Sequence, residues 1–174
     1  MRKLYLLSFL TTVGLSLFAL LKPTSTFNEK NEIAEVAILL DSWHAAAARA
    51  DYEGYFSKIA DDGHYIGTDA SENWDKKAFA AFSKPFFDKG KTWDFTALQR
   101  HIYISKDGKT AWFDEFLDTW MKGCRGSGVL EKEGKEWKIK HYVLSMTVPN
   151  DVTDEVIPLK AKYEDAIIEK FKKK

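Results

Sequence analysis

Two histidines in the second half of the chain have the side-chain type and the neighbours for acid–base chemistry. His101 and His141 fall on predicted strands, where residues two apart point to the same face. His101 then shares a face with Trp93, Phe95 and Tyr103, and His141 shares one with Trp137, Ile139 and Val143. We expect both imidazoles to enter a cavity, where a histidine beside a carboxylate acts as a general base at neutral pH. The alternative is a core histidine whose hydrogen bond is satisfied by that carboxylate.

A third candidate is a carboxylate in a stretch rich in turn-forming residues. Asp69 and Glu72 lie just before Trp74. One interpretation is a pocket rim, with Asp69 as a hydrogen-bond acceptor or general base and Trp74 as an apolar wall. The other is an Asx-type turn followed by a core tryptophan. Asp69 and His141 are the candidate catalytic residues.

Adjacent carboxylates on one predicted strand, Asp114 and Glu115, point to opposite faces, so only one of them can face a pocket. A carboxylate buried beneath helices needs a partner, because an unpaired buried charge is costly. Arg125 is the predicted partner, or it clamps an anionic ligand with two parallel hydrogen bonds. The side chains predicted to line the pocket are Trp74, Trp93, His101, Glu115, Arg125 and Trp137.

Composition and missing motifs exclude several functions. Lysine plus arginine and aspartate plus glutamate both number 26, which is unlike the basic surface that nucleic-acid binding needs. Cys124 is the one cysteine, so an intramolecular disulfide and a multi-cysteine zinc site are excluded. The sequence lacks a phosphate-binding loop, a dinucleotide fingerprint and a His-Glu-x-x-His motif. No cofactor and no metal site are therefore predicted.

The chain opens with Arg2 and Lys3, followed by an uncharged apolar run over residues 4–21. A charged start and an apolar run are typical of a secretory signal, although the run also reaches the lower length limit of a membrane-spanning helix. Residues 1–22 are therefore predicted to be a signal peptide or a retained anchor. The protein is expected to be exported, periplasmic or secreted, and to meet a membrane only through this segment if it is uncleaved.

The remaining elements must position the candidate residues. A capping box at Thr26 and Glu29 precedes an apolar stripe at three- and four-residue spacing, and His44 beside that stripe is predicted to be structural. Asp51 and either Asn73 or Asp75 are predicted to begin two more helices, with one short strand between them. Residues 59–63 are predicted to form a turn. Long strands follow at about 92–104, 110–121, 124–132 and 136–148, and residues 151–174 form an amphipathic C-terminal helix.

This order predicts an α+β fold, a cone in which three N-terminal helices pack on a strongly curved, mainly antiparallel sheet. Apolar residues alternate imperfectly along residues 110–121, which indicates a sheet covered on both faces. A second subunit is the economical cover for the outer face, so a homodimer is expected.

Three segments resemble the SnoaL-like branch of the nuclear transport factor 2-like (NTF2-like) superfamily. They are Ile66-Gly67-Thr68-Asp69 with Glu72 and Trp74, then Arg125 to Leu130, then Gly134 to His141. The similarity covers roughly residues 30–150, within a predicted domain of residues 27–150. It implies a conical fold with a deep pocket, frequent dimerisation through the outer sheet face, and members that are enzymes or binding modules.

Three functions follow as hypotheses. The first is binding of a small, largely apolar molecule in the pocket between helices and sheet. The second is a cofactor-free isomerase, hydratase or cyclase that uses Asp69 or a histidine–carboxylate pair as the general base. The third is a structural dimerisation module, which a filled cavity would favour.

Overall fold

The computed structural model of the chain describes residues 27–173. The predicted leader of residues 1–22, and Thr26 of the predicted capping box, lie outside these residues. The helices are α1 (Glu29–Ala48), α2 (Tyr52–Phe56), α3 (Lys76–Asp88) and α4 (Thr153–Lys172), the last preceded by a 3-10 turn, Asn150–Val152. The strands are β1 (Ile59–Ile66), β2 (Asn73–Asp75), β3 (Thr96–Ile104), β4 (Thr110–Thr119), β5 (Lys122–Glu133) and β6 (Glu136–Met146).

Side-chain caps fix where the first three helices begin. Asn28 caps α1 by accepting a hydrogen bond from the backbone N–H of Asn31 at 3.3 Å. Asp51 caps α2 and Asp75 caps α3 in the same way, each through the N–H three residues further on. Such caps satisfy backbone donors that a helix start leaves without partners. The structure thus selects Asp75 over Asn73 as the start of α3.

The six strands form one sheet in the order β2-β1-β6-β5-β4-β3. Every neighbouring pair is antiparallel except β1 and β6, which run parallel. The α+β fold class, with three helices on a curved and mainly antiparallel sheet, is therefore confirmed. One local prediction was wrong, because residues 59–63 belong to β1 and form no turn. Trp74 lies on the short edge strand β2.

One extra residue in each of two strands changes which side chains face the helices. On β3, Ala97 and Gln99 pair with consecutive residues of β4, which leaves Leu98 as the extra residue. On β6, Ile139 and His141 pair with consecutive residues of β5, which leaves Lys140 as the extra residue. Such a β-bulge shifts the two-residue alternation by one position, so the residues beyond it exchange faces.

Helices cover only the inner face of the sheet among the described residues. Alternate residues of β4 are buried on that face, Ala111, Phe113, Glu115, Leu117 and Thr119. The outer face exposes Tyr103 and Trp112, whose rings stack with centroids 5.8 Å apart. The mixed alternation along β4 thus reflects one buried carboxylate inside and aromatic side chains outside.

The C-terminal helix α4 has no buried residue and packs mainly on the 3-10 turn before it. Exposed apolar side chains along it include Ile157, Leu159, Tyr163 and Ile168. None of the helices within residues 27–173 is long and apolar enough to cross a membrane.

Candidate functional site

A fully buried carboxylate lies on the inner sheet face, on β4 next to the edge strand β3. Glu115 has 0% exposed surface and receives three hydrogen bonds. His44 Nε2 and Tyr142 Oη lie 2.8 and 3.1 Å from its Oε1, and Arg100 Nε donates to its Oε2 at 2.8 Å. We call Glu115, His44, Arg100 and Tyr142 the buried polar cluster. All the acceptor oxygens of the carboxylate are engaged, which is the condition for keeping a charge inside a protein.

Three features of the chain bring this cluster together. The bulges at Leu98 and Lys140 turn Arg100 and Tyr142 inward, and Arg100 pairs directly with Glu115 across β3 and β4. Gly126, opposite Glu115 on β5, leaves the space they need. A Cβ there would lie 2.4 Å from Tyr142 Oη and 2.8 Å from Glu115 Oε1, which is too close for either atom.

Helix α1 supplies the other side of the cluster. Ala37, Asp41 and His44 lie at four- and three-residue spacing, so they share one helix face. Arg100 Nη1 donates to the Asp41 carboxylate at 2.6 Å and lies 3.4 Å from the Ala37 carbonyl oxygen. Arg100 is therefore held between the sheet and α1 by a buried and a surface carboxylate.

Two opposing effects set the charge of the cluster. Burial by itself raises the pKa of Glu115, but the hydrogen bonds from His44 and Arg100 and the positive charge of Arg100 outweigh it and lower that pKa overall. The same burial, together with the negative charge of Glu115, raises the pKa of the Tyr142 hydroxyl well above its usual value. Glu115 is thus an anion at neutral pH, and Tyr142 is a neutral donor to it.

His44 borders a surface cleft of about 340 Å³ between α1 and the segment leading into β3. We call this the histidine cleft; its walls are Asp41, His44, Ala45, Ala48, Asp94, Phe95, Thr96 and Ala97. The Nδ1 atom of His44 has no hydrogen-bond partner among residues 27–173 and is not enclosed within the protein. When Nε2 donates its hydrogen to Glu115, the neutral form of the ring has Nδ1 available as an acceptor.

A second space lies beside α3. We call it the aromatic recess; it measures about 150 Å³ and lies between α3, the loop joining β1 to β2, and the turn joining β4 to β5. Its lining is mostly large and apolar: Tyr65, Trp74, Phe79, Phe82, Trp93, Phe95, Trp120, Met121 and Leu144, with Gly67, Thr68 and Glu72 at the rim. Trp74 stacks on Phe82 with ring centroids 4.7 Å apart, and Trp120 is 79% exposed.

The structure brings two of the predicted site residues to the aromatic recess and buries a third, Glu115, in the polar cluster. Trp74 and Trp93 line the aromatic recess, and Glu115, not Asp114, is the carboxylate that faces inward. Asp69 is exposed and outside the recess lining, and its Oδ1 accepts hydrogen bonds from the Ser71 N–H at 2.8 Å and the Ser71 hydroxyl at 2.5 Å. The bond from the Ser71 N–H is that of an Asx turn, and both bonds lower the pKa of the Asp69 carboxyl.

Four other predicted residues lie away from the recess and the cleft. His101 and His141 face outward, because the bulges at Leu98 and Lys140 reverse their predicted faces. Arg125 is also on the outer face, where its Nη1 lies 3.3 Å from Asp114, and Arg100 takes the predicted place of Arg125 beside Glu115.

Trp137 is buried at the opposite end of α1. Its Nε1 donates to the Glu32 carboxylate at 2.9 Å, and Lys132 is 2.5 Å from the same oxygen. Trp137 therefore helps to anchor the start of α1 and does not border the aromatic recess or the histidine cleft.

Sequence reasoning missed His44, Arg100 and Tyr142 as members of the cluster. A signal existed for His44, which follows Leu40 by four residues on the buried side of α1. For Arg100 and Tyr142 a strict two-residue alternation gives the wrong face, and neither bulge is marked by glycine or proline. Among residues 27–173, no three histidine, cysteine, aspartate or glutamate side chains are arranged to hold a metal ion.

This architecture defines an NTF2-like domain, a cone of helices on a curved sheet. A structure described as an NTF2-like protein of unknown function from Pseudomonas putida is 18% identical, with a TM-score of 0.56 over 69% of this chain and 91% of its own. A domain of unknown function with a cystatin-like fold from Nostoc punctiforme is 12% identical, with a TM-score of 0.62 over 84% and 100%. The association domain of CaMKII from Caenorhabditis elegans is 16% identical, with a TM-score of 0.56 over 68% and 98%.

The family follows from the sequence match. The model of the SnoaL-like domain matches residues 36–149, and the chain therefore belongs to the SnoaL-like domain family of the NTF2-like superfamily. The resemblance predicted from three short segments is confirmed. Comparison with curated proteins gives no significant match.

Proposed function

We propose that this protein binds a small, largely apolar molecule in the aromatic recess. The supporting observation is the lining of that recess, in which apolar and aromatic side chains surround a space of about 150 Å³. An apolar cavity of roughly 150 Å³ is large enough for a single aromatic ring such as benzene. The ligand of the recess is therefore a molecule, or a part of one, about the size of one ring.

The rim offers polar contacts that would orient such a ring. Thr68 and Glu72 border the recess, and Glu72 Oε2 lies 3.2 Å from the Asp69 N–H, which holds the carboxylate over the loop. A few fixed polar groups around an apolar lining are the usual composition of small-molecule sites. A ligand with one hydroxyl or N–H at its edge would meet this rim.

Calorimetry and tryptophan fluorescence with toluene, phenol and indole test the proposal. We expect binding to the wild type and at least a tenfold loss of affinity in Phe82→Ala, because Phe82 forms a wall of the recess and is 44% exposed. Phe86→Ala is the matched control, since it removes a similarly exposed aromatic ring of α3 that lies outside the recess lining. The proposal fails if no probe binds at millimolar concentration, or if Phe86→Ala weakens binding as much as Phe82→Ala.

A second candidate is cofactor-free acid–base catalysis, and the observation that favours it is the His44–Glu115 pair. The carboxylate orients the ring and leaves Nδ1 as a base bordering the histidine cleft. Isomerisation, hydration and cyclisation each need such proton transfer. Solvent deuterium exchange into a panel of cyclic ketones, followed by proton NMR, would detect it. We expect exchange to be lost in His44→Gln and kept in His101→Gln; equal rates in both variants would exclude His44.

Export and dimerisation complete the proposal. The charged and apolar leader supports export, which cell fractionation with an antibody to the C-terminal helix would test.

The stacked Tyr103 and Trp112 lie on the outer face, which no helix within residues 27–173 covers, and they support a homodimer through that face. The likeness to an association domain supports the same homodimer. Light scattering should then give a dimer for the wild type and a monomer for Trp112→Glu. A wild-type monomer at micromolar concentration would contradict the dimer.

A further inference from the structure

Phe95 is the one residue shared by the walls of the aromatic recess and the histidine cleft among the described residues. It is 9% exposed, and its ring centroid lies 6.4 Å from that of His44. The two spaces therefore meet at a single side chain.

The backbone around Phe95 is not part of the regular framework. Residues 91–95 connect α3 to β3 and form neither helix nor strand, and β3 begins at Thr96. A side chain at such a position depends on packing, and not on a strand ladder, for its orientation. Rotation of the Phe95 ring out of the wall would join the two spaces without breaking any strand pairing.

The two spaces offer different chemistry. The recess offers aromatic walls, whereas the cleft offers the acceptor Nδ1 of His44 and the carboxylates of Asp41 and Asp94. A volume of 150 Å³ is small for a ligand site, since such sites usually measure about 300–1,000 Å³. Together with the cleft of about 340 Å³, the recess would reach that range.

We propose that Phe95 sets the length of the ligand, and that the natural ligand spans both spaces when Phe95 moves aside. Its apolar ring lies in the aromatic recess, and its far end carries a hydroxyl or N–H group that donates to His44 Nδ1. This inference rests on the proposed binding function and narrows it to an elongated, two-part molecule with a donor at one end.

Two probe molecules of different length test this. Phenol fits the recess alone, whereas 4-phenylphenol carries a second ring and a hydroxyl at its far end. In the wild type we expect both to bind, and only 4-phenylphenol to shift the imidazole nitrogen resonances of His44 in a proton–nitrogen NMR spectrum. Biphenyl, which lacks the hydroxyl, is expected to shift those resonances by less than half as much as 4-phenylphenol does.

Variants at Phe95 test whether its side chain separates the aromatic recess from the histidine cleft or only affects packing in general. In Phe95→Ala, the affinity for 4-phenylphenol relative to phenol should rise at least tenfold, because no side chain has to move. Phe95→Leu keeps an apolar side chain at the site and should give an intermediate ratio, which covers the case in which the alanine variant is poorly folded. Phe86→Ala is the control, since Phe86 is exposed on α3 and outside both linings. Its ratio should equal that of the wild type.

The outcomes distinguish this inference from the function on which it rests. One outcome is that phenol binds while the affinity for 4-phenylphenol relative to phenol is the same in the wild type, Phe95→Leu and Phe95→Ala. In that case Phe95 does not separate the two spaces, and the proposed binding of a ring in the recess stands. If 4-phenylphenol binds without shifting the His44 resonances, the donor contact is wrong. If neither probe binds, the proposed function fails and this inference fails with it.

Discussion

Replacement of Glu115 by glutamine measures how much the buried polar cluster contributes to folding. The carboxylate has two oxygens that serve three donors, from His44, Tyr142 and Arg100. The amide of Glu115→Gln has one oxygen and two N–H donors of its own, so at least one buried donor loses its acceptor. A buried donor without a partner costs about 1–3 kcal/mol, and removal of one member of a buried ion pair costs about 3–5 kcal/mol.

The lower end of that range applies here. Arg100 keeps its second carboxylate, Asp41, at 2.6 Å, so its charge is not left entirely unpaired. We expect Glu115→Gln to lower the free energy of unfolding by about 3 kcal/mol. For a protein of this size that corresponds to a fall in midpoint temperature of roughly 6–12 °C.

Urea unfolding followed by tryptophan fluorescence at pH 7 would give this difference, and Asp114→Asn is its matched control. Asp114 is the next residue on β4 but faces outward, 3.3 Å from both His101 and Arg125. Because exposed ion pairs contribute little, its loss should cost no more than about 1 kcal/mol. The reasoning is refuted if the two variants are destabilised equally, or if Glu115→Gln is as stable as the wild type.

The pH dependence gives an independent check on the same residue. The folded-state pKa of Glu115 lies below its unfolded value, so its contribution to stability is fully present above the unfolded pKa. That contribution disappears as the pH falls below about 4.3, the ordinary glutamate value, through the lower folded-state pKa. The stability difference between the wild type and Glu115→Gln should therefore shrink over this interval. A difference that stays constant down to the acid transition would contradict the assigned charge.

Three further predictions concern the surroundings of the cluster and the C-terminal helix. Gly126→Ala should lower the free energy of unfolding by about 1–3 kcal/mol, because its Cβ would lie 2.4 Å from Tyr142 Oη; an unchanged urea midpoint would contradict this. Cys124 is fully buried and should react with a thiol reagent only at the rate of unfolding, so rapid labelling of the native protein would refute its placement. Truncation after Pro149 removes a helix without a buried residue, and calorimetry should show a midpoint shift of less than about 2 °C, equivalent to under roughly 1 kcal/mol.

The elements that sequence could predict are those whose signals are local. The stripe of α1, the caps Asp51 and Asp75, and the turns between the long strands each depend on a few neighbouring residues, and they are present where expected. Which residues of a strand share a face depends instead on every extra residue between them. One extra residue at Leu98 and one at Lys140 was enough to move both candidate histidines to the outer face. Those bulges arise from strand pairing, which two-residue alternation does not record.

The same bulges join the fold to the proposed site. Without the extra residue at Leu98, Arg100 and Phe95 could not both face inward. Either Arg100 would turn outward and leave Glu115 a poorly paired buried charge, or Phe95 would leave the core beside His44. Deletion of Leu98 is therefore expected to be far more disruptive than Leu98→Ala, even though Leu98 is 62% exposed. Circular dichroism melts of the two variants would show this, and equal midpoints would mean that the register, and with it the inward face of Arg100, does not depend on the bulge.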